Sequence, residues 1–323
     1  MPFIHKACGR RFIPLGEPAG EVYSAAMNTF SRRSFLSTSA VTLAAASLQS
    51  RLAAADAASG VKGRIHHSVC KWCYPKIELK TLCIAGKEMG LTSIELLQPS
   101  DFPTLKEHGL GCAMVSNPTA KLPDGKTVGG IERAWNRKEH HELLAQAYEA
   151  QINAVADAGF KNLICFSGNR AGLDDETGLK NCAEGLKKIL PLAEKRGVVI
   201  CMELLNSRVN HPDYQCDKSA WGVELVKQIG SANFKLLYDI YHMQIMEGDV
   251  IATIQKQHEN FAHYHTGGVP GRHEIDETQE LNYGAIMRAI VETGFAGHVA
   301  QEFIPARPDP IASLRQAVGI CDV

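Results

Sequence analysis

The stretch LAEKRGVVICMEL, Leu192–Leu204, contains a complete structural unit. Leu192–Arg196 reads as the end of a helix, and Gly197 as the left-handed residue that stops it. Val198–Met202 is apolar and partly β-branched, which favours a buried strand. The strand then closes on a charge, Glu203. The same order recurs in IAGKEMGLTSIEL (84–96), AVADAGFKNLICFS (154–167) and IVETGFAGHVAQEF (290–303). Helix and strand alternating in this way predict parallel βα units.

Eight strands are expected: Ile65–Cys70, Ser93–Leu97, Gly111–Ser116, Asn162–Ser167, Val198–Glu203, Lys235–Asp239, Ala262–Thr266 and His298–Phe303. The helical pattern fills most of the gaps. Eight units in the residues beyond position 55 predict a single-domain α/β fold, a (β/α)8 TIM barrel, which typically needs ~250 residues. A doubly wound sheet is the competing architecture, but no G-x-G-x-x-G follows the first strand.

The first segment is of another kind. SRRSFLSTSAVTLAAASLQSRLAAADAASG has paired arginines, Arg32 and Arg33, before Phe35 and Leu36. A mildly apolar run and Ala53–Ala55 follow. A charged start, a short apolar middle and an A-x-A site make a signal peptide, here of the twin-arginine type. Residues 1–55 are therefore set apart as extension and signal peptide, 56–63 as a linker and 64–323 as the barrel. The expected location is exported and periplasmic.

The 323-residue chain is 45% hydrophobic and 21% charged, with a net charge of −1. Beyond residue 55 it carries 28 Lys/Arg against 33 Asp/Glu, a net −5. A mildly acidic chain without a sustained basic run argues against a nucleic-acid partner, and no apolar stretch reaches the roughly 20 residues of a membrane span. A small-molecule substrate is the expected partner, and a homo-oligomer is compatible with the composition. Nine of ten cysteines lie beyond the signal. Cys165 and Cys201 sit in apolar runs, where cysteine is usually a small core residue. Cys70 and Cys73 have redox spacing but no second CxxC beside them.

In a barrel the C-terminal strand ends converge on one face, where the chemistry sits. Four successive strands deliver Glu203, Asp239, His265 and Glu302 there, at separations of 36, 26 and 37 residues. Each separation is about one βα unit. Taken singly, each residue has a plain explanation, such as Glu203 or Glu302 paired with Arg208 or Arg307. Together, three carboxylates repel one another unless a cation sits between them. The mixed O/N set suits Mn²⁺ or Mg²⁺, with Co²⁺ and Zn²⁺ also accommodated. KLLYDIYHMQ (235–244) poses the same choice at Asp239, between a helix cap or salt bridge and one divalent metal ion. Glu95, ending the second strand, and His67, near the start of the first, are candidates to support the site from behind, although core packing is the plainer role for His67.

MELLN, YDIYHMQ, HTGGVPGRHEID with LNYGAI after it, and QEFIP resemble the hydroxypyruvate isomerase branch of the xylose-isomerase-like TIM barrels. The resemblance spans roughly Arg64 to the C-terminus. It implies metal ligands at Glu203, Asp239, His265 and Glu302, the set reached above. It also implies that Glu203 and Glu302 act as acid and base, and that His242 and Arg272 bind substrate. One position departs from the branch, whose third ligand is commonly Gln. Here it is His265, as in related ketose epimerases.

The reaction expected from such a site is isomerisation of a small 2-hydroxy aldehyde and ketone, of the hydroxypyruvate/tartronate semialdehyde kind. The metal polarises the carbonyl, and one glutamate takes the adjacent proton to give an enediolate. The other glutamate returns it. A sugar epimerase, or a metal-dependent sugar or cyclitol dehydratase (a lyase), is the alternative on the same barrel. A non-catalytic sugar-binding barrel has no need of two glutamates across a metal. Elsewhere, His140–His141–Glu142 lacks the second histidine of H-E-x-x-H and reads as a solvated helix face. Lys71 and Trp72 are candidates to line the pocket.

Overall fold

The computed structural model describes residues 61–323. The expected signal segment, and the linker up to residue 60, lie outside the described residues. Of the linker's last residues, Lys62 donates its backbone N–H to the Asp322 carboxylate at 2.9 Å.

The strands are β1 (His66–Cys70), β2 (Ser93–Glu95), β3 (Ala120–Lys121), β4 (Thr127–Val128), β5 (Asn162–Cys165), β6 (Val199–Glu203), β7 (Phe234–Asp239), β8 (Phe261–Thr266) and β9 (His298–Gln301). Seven of them form one parallel sheet in the order β2-β1-β9-β8-β7-β6-β5. The short β3–β4 pair is antiparallel and separate. Helices fill the crossovers, including His141–Asp157, Ser219–Ile229 and Tyr283–Glu292, as the βα pattern requires.

The expected strand Gly111–Ser116 is not a regular strand. It bridges to β2 through Ser93↔Gly111, beyond β2 through Leu97↔Val115, and to β5 through Val115↔Leu163, all parallel. It thus occupies the eighth position and closes the ring. Its ladder fails at Ala113, whose N–H goes to Ser93 Oγ (2.7 Å) and whose carbonyl accepts from Asn162 Nδ2 (2.9 Å). Side chains there supply the bonds that a buried backbone must find.

The strands bury apolar Val69, Ile94, Leu163, Ile200, Leu236 and Val299, and the alternate positions Ser68, Ser93, Glu95, His263 and His265 are buried as well. Gly197 ends its helix with φ +69°, and Gly90, Gly159 and Gly294 of the other three repeats have φ of +84°, +79° and +78°, as the sequence pattern demanded. His140 and His141 are a correction. Both are buried rather than solvated, with ring nitrogens 3.0 and 2.9 Å from the carbonyls of Ala134 and Trp135. These bonds satisfy imidazoles that the helix turns inward. All nine cysteines of the described residues are free and buried, Cys70 and Cys73 included, and burial pushes both of those thiols well up. Among the described residues no helix is long and apolar enough to cross a membrane.

Candidate metal centre and its cavity

Glu203 and Asp239 are the last residues of β6 and β7, His265 is the penultimate residue of β8, and Glu302 follows β9. Parallel strands in register bring them together. One ligand atom from each lies within 4.8 Å of all the others, and all four residues are buried.

Asp239 divides its two oxygens. Oδ1 accepts the backbone N–H of His242 at 3.0 Å and caps the helix Ile240–Met246. Oδ2 lies 3.3 Å from a guanidinium nitrogen of Arg272. The helix cap and the ion pair considered for this residue are therefore both present, and Oδ2 still faces the cluster.

His265 is held at both nitrogens. Nε2 lies 2.9 Å from Glu95 Oε1, and Nδ1 lies 2.8 Å from Glu302 Oε2 and 3.3 Å from Glu203 Oε1. Glu95 Oε1 also meets His263 Nε2 at 2.7 Å. Glu95 can only accept, so it holds hydrogen on Nε2, and the Nδ1 that faces Glu203 and Glu302 becomes a bare lone pair once a cation displaces its proton. His265 Nδ1 and Glu203 Oε1 are buried without a hydrogen-bond partner. His67 does not reach this centre. It lies at the start of β1, with Nε2 3.7 Å from Asp322, because three residues of strand separate it from the barrel mouth.

The charges interact strongly. Burial pushes the Asp239 carboxyl up to about 8, against the pull of Arg272. Burial also raises the Glu203 carboxyl. Burial would raise Glu302 too, but the charges of His265 and Arg272 outweigh it and hold Glu302 well below the usual range. Three buried carboxylates and one available imidazole nitrogen form a donor set for a hard or borderline divalent cation. The two orphaned atoms point to the same conclusion, since buried polar groups are ordinarily bonded.

Arg272 is buried and ion-paired with Glu302 as well as Asp239. The acids nearest to it in sequence are engaged elsewhere: Glu274 accepts from Ser313 and the Ala306 and Arg307 backbone, and Asp276 pairs with Arg307. Arg208 reaches the Ile245 carbonyl. Neither Arg208 nor Arg307 contacts a glutamate of the cluster. Arg272 has φ +61°, and Leu96, next to Glu95, has φ +57°. Such left-handed non-glycine residues cost on the order of 1–3 kcal/mol each and concentrate at functional sites. The loop carrying Arg272 also demands glycine. A Cβ on Gly268 would lie 2.2 Å from the Glu274 carbonyl oxygen.

His242 Nδ1 accepts the Asn206 backbone N–H at 3.1 Å, which places its hydrogen on Nε2. That nitrogen is buried without a partner, 3.7 Å from Asp239 Oδ2. Burial, followed by the nearby Arg272 charge, keeps the ring neutral by lowering its pKa well below the ordinary value.

Above the cluster is a cavity of about 400 Å³, whose lining includes Glu203, Glu302, Arg272, Trp72 and His211. Trp72 Nε1 donates to Glu302 Oε1 at 2.8 Å, and Arg272 stacks 5.1 Å from the indole centroid. Sequence reasoning named neither His263 nor His211 nor Asn206. The alternation in FAHYHT, which puts His263 and His265 on one face, was the available signal for the first.

Residues 85–320 match the family model described as the xylose isomerase-like TIM barrel. The hydroxypyruvate isomerase of Escherichia coli (strain K12) is 24% identical over 68% of this chain and 84% of its own length. The 2-oxo-tetronate isomerase of Cupriavidus necator is 34% identical over 35% of this chain and 43% of its own length. Among solved structures, one titled AP endonuclease, family 2, from Brucella melitensis superposes with a TM-score of 0.69 at 24% identity, over 77% of this chain and 96% of that one. The strand order, the convergence of strand-end acids and the extent of the matched model agree: the chain belongs to the xylose isomerase-like TIM barrel family.

Proposed function

We propose that the protein is a metal-dependent isomerase that interconverts a 2-hydroxy aldehyde and a ketone, of the hydroxypyruvate/tartronate semialdehyde type. The observation that carries this reading is the buried meeting of Glu203, Asp239, His265 and Glu302 beneath an open cavity. Relatives named hydroxypyruvate isomerase and 2-oxo-tetronate isomerase support it.

Glu203, Asp239, His265 and Glu302 would hold one divalent ion, with Mn²⁺ or Mg²⁺ favoured by the oxygen-rich donors. When bound, such an ion supplies Lewis acidity to a carbonyl and its neighbouring hydroxyl. Glu203 and Glu302 both line the cavity and approach the same nitrogen of His265, Nδ1. One removes the proton from the carbon beside the carbonyl, and the other delivers a proton to the next carbon. Arg272, whose Nε and Nη2 are engaged by Glu302 and Asp239, offers Nη1 to a substrate carboxylate, and Nε2–H of the neutral His242 donates to a substrate oxygen. Glu95 keeps the His265 Nδ1 lone pair aimed at the ligand cluster.

Epimerisation is the second reading, favoured by the imidazole at position 265. It returns the proton to the same carbon from the opposite side. A dehydratase shares the first step. Proton exchange into hydroxypyruvate in D₂O, followed by NMR with metal-loaded protein, tests the main reading: incorporation at the carbon next to the carbonyl, with appearance of the aldehyde isomer, is expected. Incorporation without an isomer would favour the epimerase.

Export to the periplasm completes the proposal. It rests on Arg32 and Arg33 and on the free, buried state of the described cysteines, which suits a chain that folds before it is transported.

A further inference from the structure

The proposed isomerisation moves two protons. One passes between carbons, the task given to Glu203 and Glu302. The other passes between oxygens, because hydroxypyruvate bears its hydroxyl on the outer carbon and its aldehyde isomer bears it on the middle one. In the enediolate, the proton on the outer oxygen must move to the neighbouring oxyanion before the new carbonyl forms. That transfer calls for a neutral group able to accept a proton and give it back.

The groups already placed at the cavity do not meet this need. Arg272 stays protonated, and Trp72 Nε1 only donates, here to Glu302. His242 directs Nε2–H inward, but its Nδ1 lone pair is taken by the Asn206 backbone N–H at 3.1 Å. It can therefore donate to a substrate oxygen without accepting from one.

His211 has the missing capacity. It lines the same cavity and is half-buried. Its backbone is engaged, donating to the Asn206 carbonyl and accepting from the Tyr214 N–H, both at 3.1 Å. Its ring makes no hydrogen bond among the described residues, so one nitrogen keeps a free lone pair. Burial, followed by the charge of Arg272, lowers its pKa and keeps the ring neutral.

Its position is fixed by the residue that also fixes His242. Asn206 gives its N–H to His242 and its carbonyl to His211. Its side-chain Oδ1 accepts the N–H groups of Val209 and Asn210 at 3.0 and 2.9 Å, which shapes the intervening turn. The two imidazole centroids stand 5.3 Å apart, so both rings serve one end of the cavity.

We infer that His211 is a further catalytic residue, the carrier of the hydroxyl proton from one substrate oxygen to the other. Its unprotonated nitrogen takes the proton from the outer oxygen and returns it to the neighbouring oxyanion. The ring begins and ends neutral, and the outer oxygen is left to form the carbonyl as a glutamate protonates the middle carbon. This rests on the isomerase reading above and adds a residue to it.

The test uses the full chain loaded with Mg²⁺ and hydroxypyruvate in D₂O. NMR reads two rates at once: deuterium entering the hydroxyl-bearing carbon, and the aldehyde isomer appearing. The first needs a glutamate alone, and the second needs the oxygen-to-oxygen transfer as well. In His211→Ala and His211→Gln the isomer rate should fall by roughly tenfold or more, within the reach of one positioned acid–base group, while exchange stays within roughly threefold of the parent. KM should change little, and added imidazole should restore part of the isomer rate to His211→Ala. A ratio of isomer to exchange unchanged in both variants, whether the two rates hold or fall together, overturns the inference and leaves the isomerase reading standing. No isomer from the parent overturns both.

Discussion

Glu95 Oε1 lies 2.9 Å from Nε2 of His265, on the far side of the ring from the other three carboxylates. A carboxylate there fixes which nitrogen carries hydrogen, and so fixes what the opposite nitrogen can do. The same oxygen accepts from His263, so two imidazoles compete for one acceptor, and the negative charge of Glu95 satisfies both.

Glu95→Gln keeps the shape and removes the charge. Metal affinity should fall roughly 10–100-fold, the usual effect of losing an outer partner of a ligand histidine. Titration calorimetry with Mn²⁺ reads this directly, without any assay of turnover. An affinity equal to the parent's would mean that His265 needs no orientation from Glu95.

Asp239→Asn and His242→Ala should separate two roles that lie three residues apart. The first removes a proposed ligand and should reduce metal affinity by more than the loss of an outer partner does, abolishing turnover. The second removes no ligand. It should retain the metal and raise KM roughly threefold to tenfold, the worth of one hydrogen bond. Loss of metal by His242→Ala would count against this division.

Metal binding should depend on pH with a definite sign. Burial places the Asp239 carboxyl at about 8, above its ordinary 3.8. Protonated Asp239 therefore favours the metal-free fold, a contribution present below the ordinary value and lost as pH rises through about 8. A cation must displace that proton, so affinity should climb as pH rises toward about 8 and then level off. Calorimetry in two buffers of different ionisation enthalpy should register proton release below that point. A flat affinity across the range would contradict it.

Gly268→Ala should disturb Arg272 without touching it. The new Cβ would meet the Glu274 carbonyl at 2.2 Å, and overpacking of this kind costs about 1–3 kcal/mol. Thermal scans should show a Tm lower by about 2–4 °C for each kcal/mol, accompanied by a raised KM. Unchanged values of both would show that the loop relaxes freely.

Replacing Arg32 and Arg33 with Lys should leave the protein in the cytoplasm, since the paired arginines act as an address read by a receptor. Fractionation of cells expressing both forms decides it, and equal export would point to a different kind of signal.

The ring of βα units was legible because each unit repeats glycine, apolar strand and terminal polar residue. Glu203, Asp239, His265 and Glu302 could be picked out by that rule alone. Glu95 and Trp72 could be named as candidates from their places at strand ends, but their partners could not, because the contacts are long-range: Trp72 reaches Glu302 across 230 positions, and Glu95 reaches His263 across 168. Nor could the sequence show that Gly111–Ser116 would bend. Its composition suits a strand, but its backbone is bonded at Ala113 by the side chains of Ser93 and Asn162. The burial of His140 and His141 was hidden for a similar reason, since their acceptors belong to an irregular loop.

The irregular closure at residues 111–115 gives the barrel a seam. Toward β5 that segment is joined by two backbone hydrogen bonds, Val115 to Asn162 and Ile164 to Val115, and by one amide side chain. Where ladder bonds are few, local opening is easiest, so amide protons along this line should exchange with solvent before those of β6–β9. Leu96 and Ser116 flank the seam and also face the cavity. Breathing of the seam would therefore reshape that side of the cavity, giving the barrel a way to adjust its mouth while the strands that carry the acids stay still.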